Sequence, residues 1–327
     1  SGSMTGSTSL HTTAPQRVVG RYDRGAEGAT LVCVGGLHAN EPAGIEAATR
    51  VLERLDHAAP PSWRGRLVAL AGNVRGLARR DPDLRYVDTD LNRMWRPADV
   101  DAVLRSPLEI LDDERREQRE LAEALQELLR DDGPALLVDM HTVSAPSPPF
   151  AFVEDSLSAR AVAQALHVPI VLGFEEELHG LLADWVTNVH GRPSIVVEAG
   201  QHLDPRSVDV HEAALWVLLD AMGMCPLDSV AHRIHPRQVL AGASDGRGGR
   251  VYDIRHRCVV RDESFAVEPT LDAFDRIAMD RTVVARESGR PVLAPMSGLL
   301  FMPNRQSIRR PKDDGFFVVR RVGRTGQ

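Results

Sequence analysis

Through the first two-thirds of the chain, two patterns of apolar positions alternate. Short continuous runs at Leu31-Val32-Cys33-Val34 and at residues 67–71, 135–139, 169–172 and 194–197 predict strands buried on both faces. Between them apolar residues recur at helical spacing, predicting helices over 45–55, 108–130, 157–167, 178–189 and 208–222, the first opened by Pro42. Strands alternating with helices build a mostly parallel sheet covered on both faces, an α/β/α sandwich. Beyond Pro226 the pattern changes. Gly and Pro punctuate short segments at 250–254, 258–261, 282–285, 298–302 and 315–322, which predicts a smaller all-β C-terminal domain. The chain is therefore expected to divide into an α/β domain over 16–225 and a β-barrel or barrel-sandwich-like domain over 226–327. Residues 1–15 read as a flexible lead, with Ser1-Gly2-Ser3 before Met4 like an expression-tag remnant. The Gly-rich run 245–250 is followed by no helix pattern and reads as a turn loop, not as a dinucleotide fingerprint.

Composition narrows the chemistry. The 327 residues are 43% hydrophobic and 26% charged, an ordinary globular balance with ample material for a core. A net charge of −7 gives no overall drive toward nucleic acid or an anionic membrane. Of the 39 basic residues only Lys312 is a lysine, and it stands in the polar run Arg309-Arg310-Pro311-Lys312-Asp313-Asp314. That excludes a Walker A loop, a kinase lysine and a buried Schiff-base lysine. Cys33, Cys225 and Cys258 form no C-x-x-C pair, no apolar run reaches 18 residues, and no secretory pattern opens the chain. A cytoplasmic location is the expectation.

Candidate chemistry gathers at the ends of the expected strands, where open α/β sheets place their sites. Gly35-Gly36-Leu37-His38-Ala39-Asn40-Glu41-Pro42 follows the first run, Met140-His141-Thr142 follows Asp139, and Ile195-Val196-Val197 ends in Glu198-Ala199-Gly200. His38-x-x-Glu41 puts an imidazole and a carboxylate on one tight turn, and His141 can supply a third ligand from a neighbouring strand. Two imidazoles and one carboxylate, with a fourth position left to water, form a catalytic zinc pattern. Glu198, ending an otherwise apolar strand, is the candidate general base, since burial raises a carboxyl pKa toward neutrality. Asp139 reads either as an acceptor that orients a ligand imidazole or as a cap on the strand end. His57, His167, His190 and His232 lack such context and read as surface or structural residues.

Three segments in order, Gly-Gly-x-His-x-Asn-Glu at 35–41, Arg85-Tyr86-Val87-Asp88-Thr89-Asp90-Leu91-Asn92-Arg93 and Asp139-Met140-His141-Thr142, resemble the succinylglutamate desuccinylase/aspartoacylase family of zinc hydrolases, relatives of the M14 carboxypeptidases. The resemblance spans about residues 30–200. It implies one zinc held by His38, Glu41 and His141, with Glu198 as base and then as acid for the leaving amine. It also implies that Arg75, in Gly72-Asn73-Val74-Arg75-Gly76, polarises the scissile carbonyl, and that Asn92 and Arg93 hold the carboxylate of an amino-acid portion. No clear counterpart of the second carboxylate-binding arginine of aspartoacylases stands in 184–193. Arg192 is nearby in uncertain register. Glu175-Glu176-Glu177 would repel a dianion if it lined the cleft, and reads first as a helix N-terminus.

The C-terminal segment 291–300 resembles the small β module that ends many such proteins, and is similar to biotinyl and lipoyl carriers; no lysine occupies its hairpin, so it reads as shielding or oligomerising. The expected activity is hydrolysis of the amide of a small N-acyl amino acid or N-acyl amine. Partners would be that small molecule and, in a homo-oligomer, further copies of the chain, with neither nucleic acid nor membrane. A metallocarboxypeptidase acting on short peptides and a noncatalytic zinc sensor are the alternatives.

Overall fold

The computed structural model describes residues 15–154 and 156–323, so the expected N-terminal lead lies, apart from Pro15, outside the described residues. Strands are numbered β1 (Val18–Asp23), β2 (Thr30–Gly35), β3 (Arg66–Ala71), β4 (Ala135–Val143), β5 (Phe150–Val153), β6 (Ile170–Leu172), β7 (Ser194–Gln201), β8 (Val251–Val259), β9 (Ala266–Val267), β10 (Arg276–Ile277), β11 (Val283–Glu287), β12 (Arg290–Leu293), β13 (Gly298–Phe301) and β14 (Asp314–Arg321). Helices are α1 (Ala43–Ala58), α2 (Val74–Ala78), α3 (Pro97–Arg105), α4 (Asp113–Leu128), α5 (Leu157–Leu166), α6 (Phe174–Glu177), α7 (Leu182–His190), α8 (Arg206–Ala221) and α9 (Pro236–Ala243).

One sheet runs through most of the molecule in the order β1-β3-β2-β4-β7-β5-β6-β8-β14-β13-β10, beside a small sheet β12-β11-β9. β3, β2, β4 and β7 are parallel neighbours. β1 and β5 join them antiparallel. The continuous apolar runs become the fully buried strands because both faces are covered. One core packs α1, α5 and α8 against one face, and another packs α4 and α7 against the other. The sheet does not stop at residue 225. β8 pairs in parallel with β6, and Tyr252, Ile254, Phe301 and Phe317 share a core with Phe150, Val171 and Phe174.

The differences from the sequence reading are local. The long helical expectation at 108–130 splits, because Asp112 accepts from Arg115 N at 3.0 Å and caps a helix beginning at Asp113. Two expected strands at 250–254 and 258–261 are one, β8, which alternates half-buried and buried positions only through Ile254 and continues through Arg255, His256 and Arg257, none of them buried. α9 interrupts the expected all-β segment. Pro236 stands in its first turn and His235 caps it, and Leu240 is buried in the core that holds α8. The Glu175-Glu176-Glu177 run forms the single turn of α6, with Glu175 and Glu176 turned to solvent.

Candidate metal centre

In the parallel ladder Gly35 of β2 stands beside Met140 of β4, and His141 stands beside Glu198 of β7. The loops that leave β2, β4 and β7 therefore emerge together. α1 sits close on these strands because it begins with small residues: a Cβ on Gly44 would come within 2.6 Å of the Met140 Cβ. That close approach carries Glu41, just before α1, to the end of β4.

His38, Glu41 and His141 are all buried, and one ligand atom from each lies within 4.8 Å of the others. His38 Nδ1 is 2.7 Å from Glu41 Oε2, and His141 Nδ1 is 3.2 Å from Glu41 Oε1. Both imidazoles thus turn the same nitrogen toward one carboxylate. The opposite nitrogens face acids: His38 Nε2 is 2.8 Å from Asp90 Oδ1, and His141 Nε2 is 2.8 Å from Asp139 Oδ1. This is the arrangement in which a carboxylate fixes the tautomer of a metal-binding histidine and increases its basicity. Burial alone would raise the Glu41 carboxyl, yet the charges and hydrogen bonds of His38 and His141 hold it well below the usual carboxylate range. It also accepts from Thr142 N at 2.9 Å. Two nitrogens and an ionised carboxylate around one point are a donor set that suits zinc.

Glu198 is 5% exposed, and its Oε2 is buried with no hydrogen-bond partner. Burial, opposed by His141 and reinforced by Glu41, pushes its carboxyl up to about 8. A buried carboxyl with an unclaimed oxygen beside the His141 imidazole and the Glu41 carboxylate is suited to holding and releasing a proton.

The arginines fall differently from expectation. Arg75 is not directed at this cluster. Its Nη1 is 2.6 Å from Glu117 Oε1 and its Nη2 3.0 Å from Glu120 Oε1, so its guanidinium lies against α4. The physical reason is Glu117, a fully buried carboxylate that draws Arg75, Arg17 and the Val74 and Arg75 amides around itself. Arg85 takes the place beside the cluster. Its Nε donates to Asp90 Oδ2 at 3.2 Å and its Nη1 is 3.5 Å from Glu41 Oε2. Asp90 thus bridges His38 and Arg85 and also caps the turn at Asn92, accepting from its N–H at 2.9 Å. Arg85 opens the same segment that carries Asn92 and Arg93, and its five-residue separation from Asp90 was the available signal.

Asn92 is buried and its Oδ1 accepts from Leu182 N at 3.0 Å, which ties α7 to the site. Gly180, with φ +73°, comes so close that a Cβ there would lie 2.4 Å from Arg93 O. Arg93 itself is half-buried, bonded to Asn92 O at 2.8 Å and paired with Asp314 at 3.2 Å. Arg192 is far from this role: it donates to the carbonyls of Asp131 and Gly133, bracing the loop before β4.

A model of the succinylglutamate desuccinylase/aspartoacylase catalytic domain matches residues 27–218. The chain belongs to this family. Among solved structures, the succinylglutamate desuccinylase/aspartoacylase of Rhodobacter sphaeroides aligns with TM-score 0.63 at 19% identity, covering 91% of this chain and 87% of that one. The succinylglutamate desuccinylase of Vibrio cholerae gives TM-score 0.64 at 14% identity, with 93% and 84% covered. The product-bound ectoine utilization protein EutE (DoeB) of Ruegeria pomeroyi gives 0.62 at 17%, with 92% and 87% covered. At such identities the likeness is one of fold, and it extends through the C-terminal strands. No curated protein matches the chain in sequence. Among the described residues no helix is long and apolar enough to cross a membrane.

Proposed function

We propose that this member of the deacylase family is zinc-dependent and hydrolyses the amide of a small N-acyl amino acid or related N-acyl amine. The observation that carries the reading is the convergence of His38, Glu41 and His141 on one point, with Glu198, whose Oε2 is buried and unpartnered, in register beside His141. His38, Glu41 and His141 would hold the ion. The chemistry zinc supplies when bound is Lewis acidity toward a carbonyl oxygen and easier ionisation of water.

The protein's own groups do the rest. Glu198 takes a proton from the attacking water as the new C–O bond forms, and returns it to the amide nitrogen as the C–N bond breaks. Arg85, rather than Arg75, donates to the carbonyl oxygen as that oxygen gains negative charge, its guanidinium held in place by Asp90 before the reaction begins. Arg93 receives the carboxylate of the amino-acid portion, and Asn92 fixes the turn that presents it. Asp90 and Asp139 keep the two imidazoles oriented. The chain between β13 and β14 crosses the rim of the site, with Gln306 on Asn40 at 3.2 Å and Arg305 N on Ser144 Oγ at 2.9 Å. That favours a small substrate over an extended peptide.

The test is metal analysis of the purified protein, followed by incubation with N-acetyl, N-succinyl and N-formyl amino acids while free amine is followed. About one zinc per chain and amine release from at least one member are expected. Metal bound without release from any member would instead favour the sensor, and liberation of C-terminal residues from peptides would favour the carboxypeptidase.

A further inference from the structure

The C-terminal strands reach the site through one carboxylate. In the β14–β8 ladder Asp314 stands opposite Val259 while Phe316 stands opposite Cys258, so Gly315 is an extra residue in β14. An extra residue shifts the alternation of side chains by one and re-aims those before it. Asp314 is thereby turned to the face of Arg257, and it lies between two arginines. Its Oδ1 accepts from Arg257 Nε, and its Oδ2 is 3.2 Å from Arg93 Nη2. Arg257 is anchored in turn on Glu177 O at 3.3 Å, in the stretch leading to Gly180, which packs on the Arg93 backbone. Asp314 also lies within electrostatic reach of Arg85.

Resting on the reading that Arg93 receives the substrate carboxylate, we infer that Asp314 is a positioning residue for Arg93 and that Arg257 sets the charge of the carboxylate subsite. The argument is one of charge and geometry. Arg93 alone would be a long side chain with several rotamers; with Nη1 on Asn92 O and Nη2 on Asp314 it is held in one. An aspartate paired with Arg93 alone would cancel its charge and repel an incoming carboxylate. Arg257 removes that conflict: with Asp90 also facing Arg93 and Arg85 facing both aspartates, Arg85, Arg93 and Arg257 against Asp90 and Asp314 leave a single positive charge in excess, enough for one carboxylate. The C-terminal segment thus completes the substrate site while contributing no group to bond breaking.

The experiment uses the full-length zinc-loaded protein and the best substrate of the acyl panel, compared with the same compound carrying a carboxamide in place of the carboxylate. Arg93→Gln is measured first. If it leaves the preference for carboxylate over carboxamide intact, the Arg93 reading fails, and with it the basis of the inference. If Arg93→Gln removes the preference, Arg257→Gln and Asp314→Asn decide the inference itself. The expectation is a rise in KM for the carboxylate substrate of about tenfold in each, with much smaller changes in kcat and in KM for the carboxamide. Asp314→Glu should recover part of the loss. A carboxylate preference unchanged from wild type in Arg257→Gln overturns the proposal even where Asp314→Asn fails to fold. An equal fall in kcat for both substrates also overturns it, since that would mark a merely structural role.

Discussion

Taking a carboxyl group out of water raises its pKa and costs stability, and Glu198 and Asp184 show this on different observables. Glu198, inside β7, keeps Oε2 unclaimed. Replacing it with Gln preserves shape and hydrogen-bonding capacity but removes the proton acceptor. Turnover should fall by about 10² to 10⁴ while zinc content stays near that of the wild type. Parallel assays of amine release and bound metal check this; His38→Ala should lose both. Asp184, on α7, is the second case. Burial, reinforced by Glu175 and Glu154, pushes its carboxyl up to about 6, above its ordinary value of 3.8. Between those values the folded state holds the proton that the unfolded state has lost. Stability attributable to this group therefore declines as pH rises from about 4 to 6 and stays lowered above that. Asp184→Asn relieves the penalty. Allowing for solvent screening of a partly exposed group, the variant should exceed the wild type by about 1–2 kcal/mol at pH 7, with a smaller advantage at pH 4. Urea titrations at the two pH values test the sign.

At the scale of elements, α4 organises the site from behind. Glu114 is fully buried, and its carboxylate accepts from Val87 N at 2.5 Å, Asp88 N at 2.9 Å, Thr89 N at 3.4 Å and Asn73 Nδ2 at 3.2 Å. One side chain thus satisfies three successive amides of the segment that carries Arg85, Asp90, Asn92 and Arg93. Glu114→Ala leaves those donors without an acceptor and should cost about 2–4 kcal/mol. Hydrogen exchange should accelerate first at residues 87–89, ahead of the strands; uniform acceleration across the molecule would contradict the local role. Nothing in the sequence distinguishes Glu114 from its neighbours in the acidic, amphipathic run around it. The elements themselves were far more legible. β2, β3, β4, β6 and β7 follow from continuous apolar runs, because strands covered on both faces admit few polar residues. β1 and β5 were missed: they are short, half-buried or antiparallel, and periodicity alone does not separate such strands from loop.

On the scale of the whole molecule, the sheet passes without interruption from the α/β part into the C-terminal strands through β6 and β8. Phe301 is the pivot of that junction, with its ring 4.7 Å from Phe150 and 5.7 Å from Phe274. All four tryptophans, Trp63, Trp95, Trp185 and Trp216, precede residue 226. If the two parts unfold as one, Phe301→Ala should lower the tryptophan-detected midpoint by an amount matching a loss of about 3–5 kcal/mol. An unchanged tryptophan transition would show that the C-terminal strands melt separately.

The chain by itself determined the alternation of strand and helix and the family, since these depend on local periodicity and on residues close together in sequence. It also determined His38, Glu41, His141 and Glu198 as candidates, because each directly follows or ends a recognisable strand and a parallel sheet brings such ends together. Local spacing offered Asp90 as a partner for Arg85 but could not take Arg75 out of contention. Arg75 and Arg85 are chemically identical, and carboxylates remote in sequence separate them: Glu117 and Glu120 on α4 draw the first aside, while Glu41 faces the second, which its near neighbour Asp90 also holds. The contact between Arg93 and Asp314 joins residues more than two hundred positions apart, and a one-residue bulge aims it. Long-range electrostatic pairing and strand register exist only once the chain has folded, so those were decided by the tertiary structure.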